Sequence, residues 1–187
     1  MLSRKDEAVP RPFRWALAVL LALTAVLALI FRFWPELDLL ASGMFYDPAV
    51  GFTLTGQGFW DGVIVANKAA SFAYLVAALV LLPVSLWLGG GEWQFATRYW
   101  GMVILLYLVG PGVLVNGLFK RTFGRARPVN VHFFGGDGPF TAAWEVSDYC
   151  HSACSFVSAE AAAGTALTVG LALGTLWFAG RPVAQIG

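Results

Sequence analysis

Each of four apolar runs in this chain is long enough to cross a lipid bilayer. They cover residues 15–30 (extending to 34), 69–88, 99–119 and 156–179. A hydrocarbon core of roughly 30 Å needs about 20 helical residues, each rising ~1.5 Å. Backbone polar groups find no water in that core, so a single spanning segment must satisfy them internally as a helix. Composition agrees: 58% of the 187 residues are hydrophobic and 12% are charged, about half the ~25% charge of a soluble domain. The expected fold is all-α, a polytopic transmembrane helical bundle in a single membrane-embedded domain over residues 1–187.

The first run follows basic residues, as a signal peptide would. It is longer than a usual signal core, and Ala41-Ser42-Gly43, which could mimic a cleavage site, lies well beyond it. It therefore reads as a membrane helix. Residues 35–68 read as a mixed loop whose amphipathic stretches lie along the membrane surface. Pro83 marks a kink in the second run, and Gly110-Pro111-Gly112 marks another in the third. Gly89-Gly90-Gly91 makes a short turn, and a polar loop of about 35 residues separates the last two runs.

The net charge of +1 leaves no nucleic-acid footprint. Cys150 and Cys154 lie four apart, and with His132 and His151 they give no metal-type spacing, so neither a metal nor a cofactor is expected. The two cysteines read as two small, half-buried residues, or as a disulfide if their face is periplasmic.

The segment Lys120-Arg121-Thr122-Phe123-Gly124-Arg125-Ala126-Arg127-Pro128 carries four cations in a chain poor in charge. Arginine's planar fork grips two phosphate oxygens at once, and lysine adds a point charge. Pro128 pushes Arg127 toward an extended backbone, and Gly124 lets the chain turn. The cations can thus converge on one anion at the membrane surface. The plain alternative is a juxtamembrane basic patch against anionic headgroups.

With the N-terminus inside, six basic residues (Arg4, Lys5, Arg11, Arg14, Arg98 and Arg181) fall inside. Six others (Arg32, Lys68, Lys120, Arg121, Arg125 and Arg127) fall outside. Setting aside the 120–127 cluster as a binding site leaves six against two, which favours an inside N-terminus.

Lys120, six residues, Arg127 and Pro128 resemble the first motif of the membrane-bound type-2 phosphatidic acid phosphatases. Pro35-Glu36-Leu37-Asp38, Phe45-Tyr46-Asp47-Pro48 and Gly51-Phe52 resemble bacterial members more weakly. The resemblance implies that Lys120 and Arg127, with Arg125 beside them, bind a substrate phosphate. It also implies six membrane helices in a complete member.

The family's second motif, Pro-Ser-Gly-His, has two possible registers here. In the favoured one, Phe156-Val157-Ser158-Ala159-Glu160 takes its place, with Ser158 and Ala159 at the phosphate and Glu160 as general acid. The plain alternative for Glu160 is a structural ion pair with Arg125 or Arg127. In the other register Cys150-His151-Ser152-Ala153 supplies His151 as the acid, with Asp148 able to orient it, while His132 reads as an exposed loop residue.

The third motif, Ser-Arg, five residues, His, three residues, Asp, carries the family's nucleophile. Nothing after Glu160 matches it. The expectation is therefore a truncated member whose 187 residues alone hydrolyse nothing by this route.

The resemblance implies a lipid phosphatase of a bacterial inner membrane, its site facing the periplasm. It would hydrolyse a phosphomonoester or pyrophosphate through a phosphohistidine without a metal. Phosphatidic acid, phosphatidylglycerol phosphate, undecaprenyl or other polyprenyl pyrophosphate and lipid A phosphates all fit. The alternatives are an inactive relative that binds anionic lipid headgroups, and a small transporter.

Overall fold

The computed structural model describes residues 11–151 and 154–179. Its frame is helical, and four helical stretches are long and apolar enough to cross a membrane. Helix α1 spans Arg11–Phe33. A short α2, Glu36–Gly43, follows, then a small antiparallel hairpin of β1 (Tyr46–Asp47) and β2 (Gly51–Phe52), paired Tyr46 to Phe52. Helix α3 runs Gly58–Leu88 and α4 runs Gly91–Tyr107. The chain continues from α4 as a π-helical stretch, Leu108–Phe119, and a single turn α5, Lys120–Phe123. Helix α6 spans Ala159–Ala179.

Three sequence expectations are adjusted by this frame. Helix α3 begins at Gly58, not at residue 69, so Lys68 lies on a helix rather than in a loop. Polar Asp61, Asn67 and Lys68 dilute the hydropathy of its first turns, although Phe59, Trp60, Val63 and Ile64 keep an apolar side. Helix α3 also runs through Pro83 without interruption. The irregularity at Pro111 takes the form of π-helical widening. Proline lacks the N–H that the ladder needs there, and its ring crowds the preceding turn. The Asn116 side-chain amide donates to the Pro111 carbonyl oxygen at 2.7 Å.

Helix α3 packs against both α4 and α6, and α6 also meets the π-helical stretch. At the centre lie Ala78, Tyr99, Val103, Tyr107 and Ala166, with Ala78 and Val103 fully buried. The Tyr74 and Tyr99 hydroxyls bond to each other, and Tyr99 also donates to the Gly170 carbonyl oxygen at 3.1 Å. Gly170 makes that approach possible, since a Cβ there would stand 2.8 Å from the Tyr74 ring. Most leucines, valines and phenylalanines of the long helices point outward, as expected where lipid rather than water is the solvent.

Antiparallel helices place the 34–57 and 124–158 segments at the same end of the bundle, where they touch. Tyr46, Phe52 and Phe134 form an aromatic triad with ring centroids 5.1 to 5.3 Å apart. The 124–158 segment has internal order of its own. His132 N–H donates to the Gly138 carbonyl (2.9 Å) and Gly138 N–H to that of Asn130 (2.7 Å). Phe156 packs on Phe123 at 4.5 Å and on Trp144 at 5.0 Å.

Candidate active site

A cavity of about 640 Å³ opens at this end of the bundle. Its lining draws on three distant parts of the chain: α2 with the hairpin, the 120–129 segment, and the entry to α6. Lys120, Arg127, Ser158 and Glu160 all line it, so four of the expected site residues come together.

Lys120 arrives at the last turn of the third spanning stretch, the point where the apolar run stops. Gly124 then takes φ +48°, a left-handed conformation that ends the helix. A Cβ there would lie 1.8 Å from the Ser147 carbonyl oxygen, so only glycine admits the passing 147–150 segment. Arg127 follows in an extended conformation, as the proline after it requires.

Ser158 caps α6. Its Oγ accepts the Ala161 N–H at 3.1 Å and donates to Glu160 Oε2 at 3.3 Å. Serine is a favoured cap because it satisfies an otherwise orphaned helical N–H. The same position brings the positive end of the helix dipole to the cavity, where an anion gains from it. Val157, just before it, sits at φ +59°. A β-branched residue in that region stores strain of roughly 1–3 kcal/mol, which surrounding structure must hold. Ser155 N–H, bonded to the Arg125 carbonyl oxygen at 2.9 Å, does part of that holding.

A Cys150–Cys154 disulfide lies just before Ser155, joining residues whose Cα atoms stand 5.7 Å apart. The pair lies in irregular chain rather than on a helix.

Glu160 Oε1 lies 3.2 Å from Lys68 Nζ. Its ion-pair partner is therefore on α3, whereas the ion-pair alternative read from the sequence named Arg125 or Arg127. Asn67 of the same helix donates to the Glu160 carbonyl oxygen at 2.9 Å. Glu160 thus ties α6 to α3 at the cavity rim.

Three expected residues stand elsewhere. Arg125 turns away from the cavity. It pairs with Asp38 on α2, donates from Nε to the Thr141 carbonyl oxygen at 2.7 Å, and lies over the Phe140 ring at 5.6 Å. Ala159 does not line the cavity. His151 is exposed, and neither it nor His132 lines the cavity. His132, exposed as expected, has its Nδ1 3.2 Å from the Gly138 carbonyl oxygen. Ser152 and Ala153 of the second register lie outside the described residues.

Sequence reasoning missed the opposite wall, made by Ala41, Ser42, Phe45, Phe52, Leu54 and Thr55. Its signal was the Phe45-Tyr46-Asp47-Pro48…Gly51-Phe52 stretch, which carried only the weaker part of the resemblance. Among the described residues no cluster of His, Cys, Asp or Glu could hold a metal ion.

The chain is similar to lipid A 4'-phosphatases. It is 30% identical over 138 residues to that of Francisella tularensis subsp. novicida, covering 73% of this chain and 61% of the relative. It is 31% identical over 146 residues to that of Rhizobium leguminosarum, covering 71% and 63%. It is 49% identical over 55 residues to that of Rhizobium etli, covering 29% and 21%. The chain thus spans about three fifths of the length of the first two relatives. No protein-family model matches it, and no solved structure does.

Proposed function

We propose that this chain carries the phosphate pocket of a membrane lipid phosphatase of the type-2 phosphatidic acid phosphatase kind, acting on a phosphate of lipid A or a similar glycolipid. One observation carries the reading. Lys120, Arg127 and the Ser158 cap, 38 residues apart from first to last, line a single cavity at the end of the spanning helices. Two cations and a helix N-terminus around a pocket at headgroup level suit a phosphate whose lipid tail remains in the bilayer. The relatives supply the substrate class.

The chemistry asked of these residues is electrostatic. In phosphoryl transfer the bond from phosphorus to the leaving oxygen breaks while charge spreads over the other phosphate oxygens. Lys120 and Arg127 face that charge and stabilise it. Across the whole hydrolysis one water is consumed: its oxygen ends bonded to phosphorus in place of the lipid oxygen, and one of its protons ends on that lipid oxygen, which departs as an alcohol. The attacking group belongs to a part of the reaction that His132 and His151, both outside the cavity lining, do not serve. Glu160, held by Lys68 and the Ser158 hydroxyl, fits an organising role better than that of proton donor. The Cys150–Cys154 disulfide supports a site on the oxidising, periplasmic side.

The test is phosphate release from lipid A by the full-length gene product in membranes. Lys120→Ala and Arg127→Ala should each lower kcat/KM by about 100-fold or more, the order seen when one stabilising donor is lost. Activity untouched by both changes would sink the reading. A bare headgroup-binding patch would instead show salt-sensitive lipid binding without turnover.

A further inference from the structure

We propose that Asp38 and Arg125 form a clasp that positions the α2 and hairpin wall across the cavity, and so decide which phosphate-bearing lipid it admits. The inference rests on the phosphate-pocket reading above. It assigns positioning roles to Asp38, and to Arg125, whose sequence position suggested a phosphate ligand.

The Arg125 side chain is 15% exposed and the Asp38 side chain 26% exposed, so both are largely withdrawn from solvent. The guanidinium is engaged from three directions: by the Asp38 carboxylate, by the Thr141 carbonyl oxygen and by the face of Phe140. A phosphate in the main cavity would have to take it from all three. Arg125, Asp38 and Phe140 instead line a separate small space behind the wall.

That space shares Ser42 and Pro128 with the cavity. Asp38 and Ser42 stand one helical turn apart on α2, the spacing that stacks side chains on one face. The clasp is thus one turn from the cavity wall on α2, and Arg125 is two residues from Arg127 on the opposing segment. Holding the one pair fixes the distance between wall and cations. The Tyr46, Phe52 and Phe134 triad makes a further contact, and Phe52 itself lines the cavity.

Orthophosphate needs only the cations and the Ser158 cap. A glycolipid phosphate must also lay its remaining bulk against Phe45, Phe52 and Thr55. Loosening the wall should therefore separate the two ligands. Charge leads the same way: Asp38 neutralises Arg125 and leaves Lys120 and Arg127 as the lining cations.

The experiment measures binding of radiolabelled orthophosphate and of radiolabelled lipid A micelles to the purified full-length protein in detergent. Asp38→Ala, Asp38→Asn and Arg125→Ala should each weaken lipid A binding by about 10-fold, the size of a typical coupled pair, and the Asp38→Ala/Arg125→Ala double variant by no more than either single. All four should keep orthophosphate affinity within about twofold, which also shows that they fold. Lys120→Ala and Arg127→Ala should lose both ligands. If Arg125→Ala loses orthophosphate while Asp38→Ala does not, Arg125 is a phosphate ligand and the clasp is wrong. Lipid A affinity unchanged in both single variants overturns it as well. Orthophosphate binding indifferent to Lys120→Ala and Arg127→Ala would remove the pocket reading instead, and the lipid A arm would still judge the clasp.

Discussion

The Asp38–Arg125 and Lys68–Glu160 ion pairs lie on different sides of the cavity, and they are built differently. Asp38–Arg125 joins α2 to the chain just after α5, with side chains 26% and 15% exposed, and is backed by a backbone acceptor and an aromatic ring. Lys68–Glu160 joins two membrane helices at the rim, with side chains 59% and 44% exposed. A withdrawn charge must find its partners inside the protein, so losing one partner leaves the other badly placed. An exposed pair can exchange its partner for water at little cost. The same bond type should therefore hold position more firmly where it is withdrawn from solvent than where it is exposed at the rim.

The sharpest way to break the withdrawn side is Gly124→Ala. The added Cβ would have to stand 1.8 Å from the Ser147 carbonyl oxygen, at a φ of +48° that L side chains disfavour. Backbone must move, and the expected loss is about 3 kcal/mol in the free energy of opening this segment. Hydrogen exchange at the Ser147 and Cys150 amides reads it directly, because they bond to the Phe123 and Gly124 carbonyl oxygens at 3.0 Å each. Unchanged protection there would show that the segment does not depend on this turn.

A paired measurement comes next in size. Arg125→Ala should ease protease nicking of the 124–158 segment by the equivalent of about 1.5–3 kcal/mol, the worth of hydrogen bonds to a charged group. Lys68→Ala should change the thermal midpoint in detergent by the equivalent of ~0.2–1 kcal/mol. Raising salt should erase most of the second effect and little of the first. Equal effects, equally salt-sensitive, would abolish the distinction between the two pairs.

What the sequence disclosed follows the same division. The spanning helices were legible because hydrophobicity in a bilayer is a local property, readable run by run. Lys120 and Arg127 were legible because both follow the end of one such run within a few residues. Ser158 was legible because the second-motif register put it near the start of another, though its capping role was not. Asp38 was not, since its partner lies 87 positions away and no local pattern links them. Arg125 was placed with the phosphate ligands because adjacency in sequence suggested adjacency in space. The backbone turn at Gly124 and the extended run to Pro128 aim it the other way. Lys68 was assigned to a loop because the polar residues around it hid the first turns of α3.

Glu160→Gln gives the smallest expected effect on stability and the finest discrimination of chemistry. The change keeps the shape of the side chain and its reach to the Ser158 hydroxyl, 3.3 Å away, but removes the charge facing Lys68 at 3.2 Å. If Glu160 organises the rim, stability should fall by less than about 1 kcal/mol. KM for lipid A should then rise several-fold with kcat nearly kept, because binding geometry is disturbed equally in ground and transition states. A general acid behaves otherwise. Its loss lowers kcat by roughly 100-fold or more, with KM little changed. A leaving group that needs no protonation, such as p-nitrophenolate, would then restore most of the rate. Rescue by that substrate would return Glu160 to the acid role, and absence of rescue with raised KM would leave it as the tie between α3 and α6.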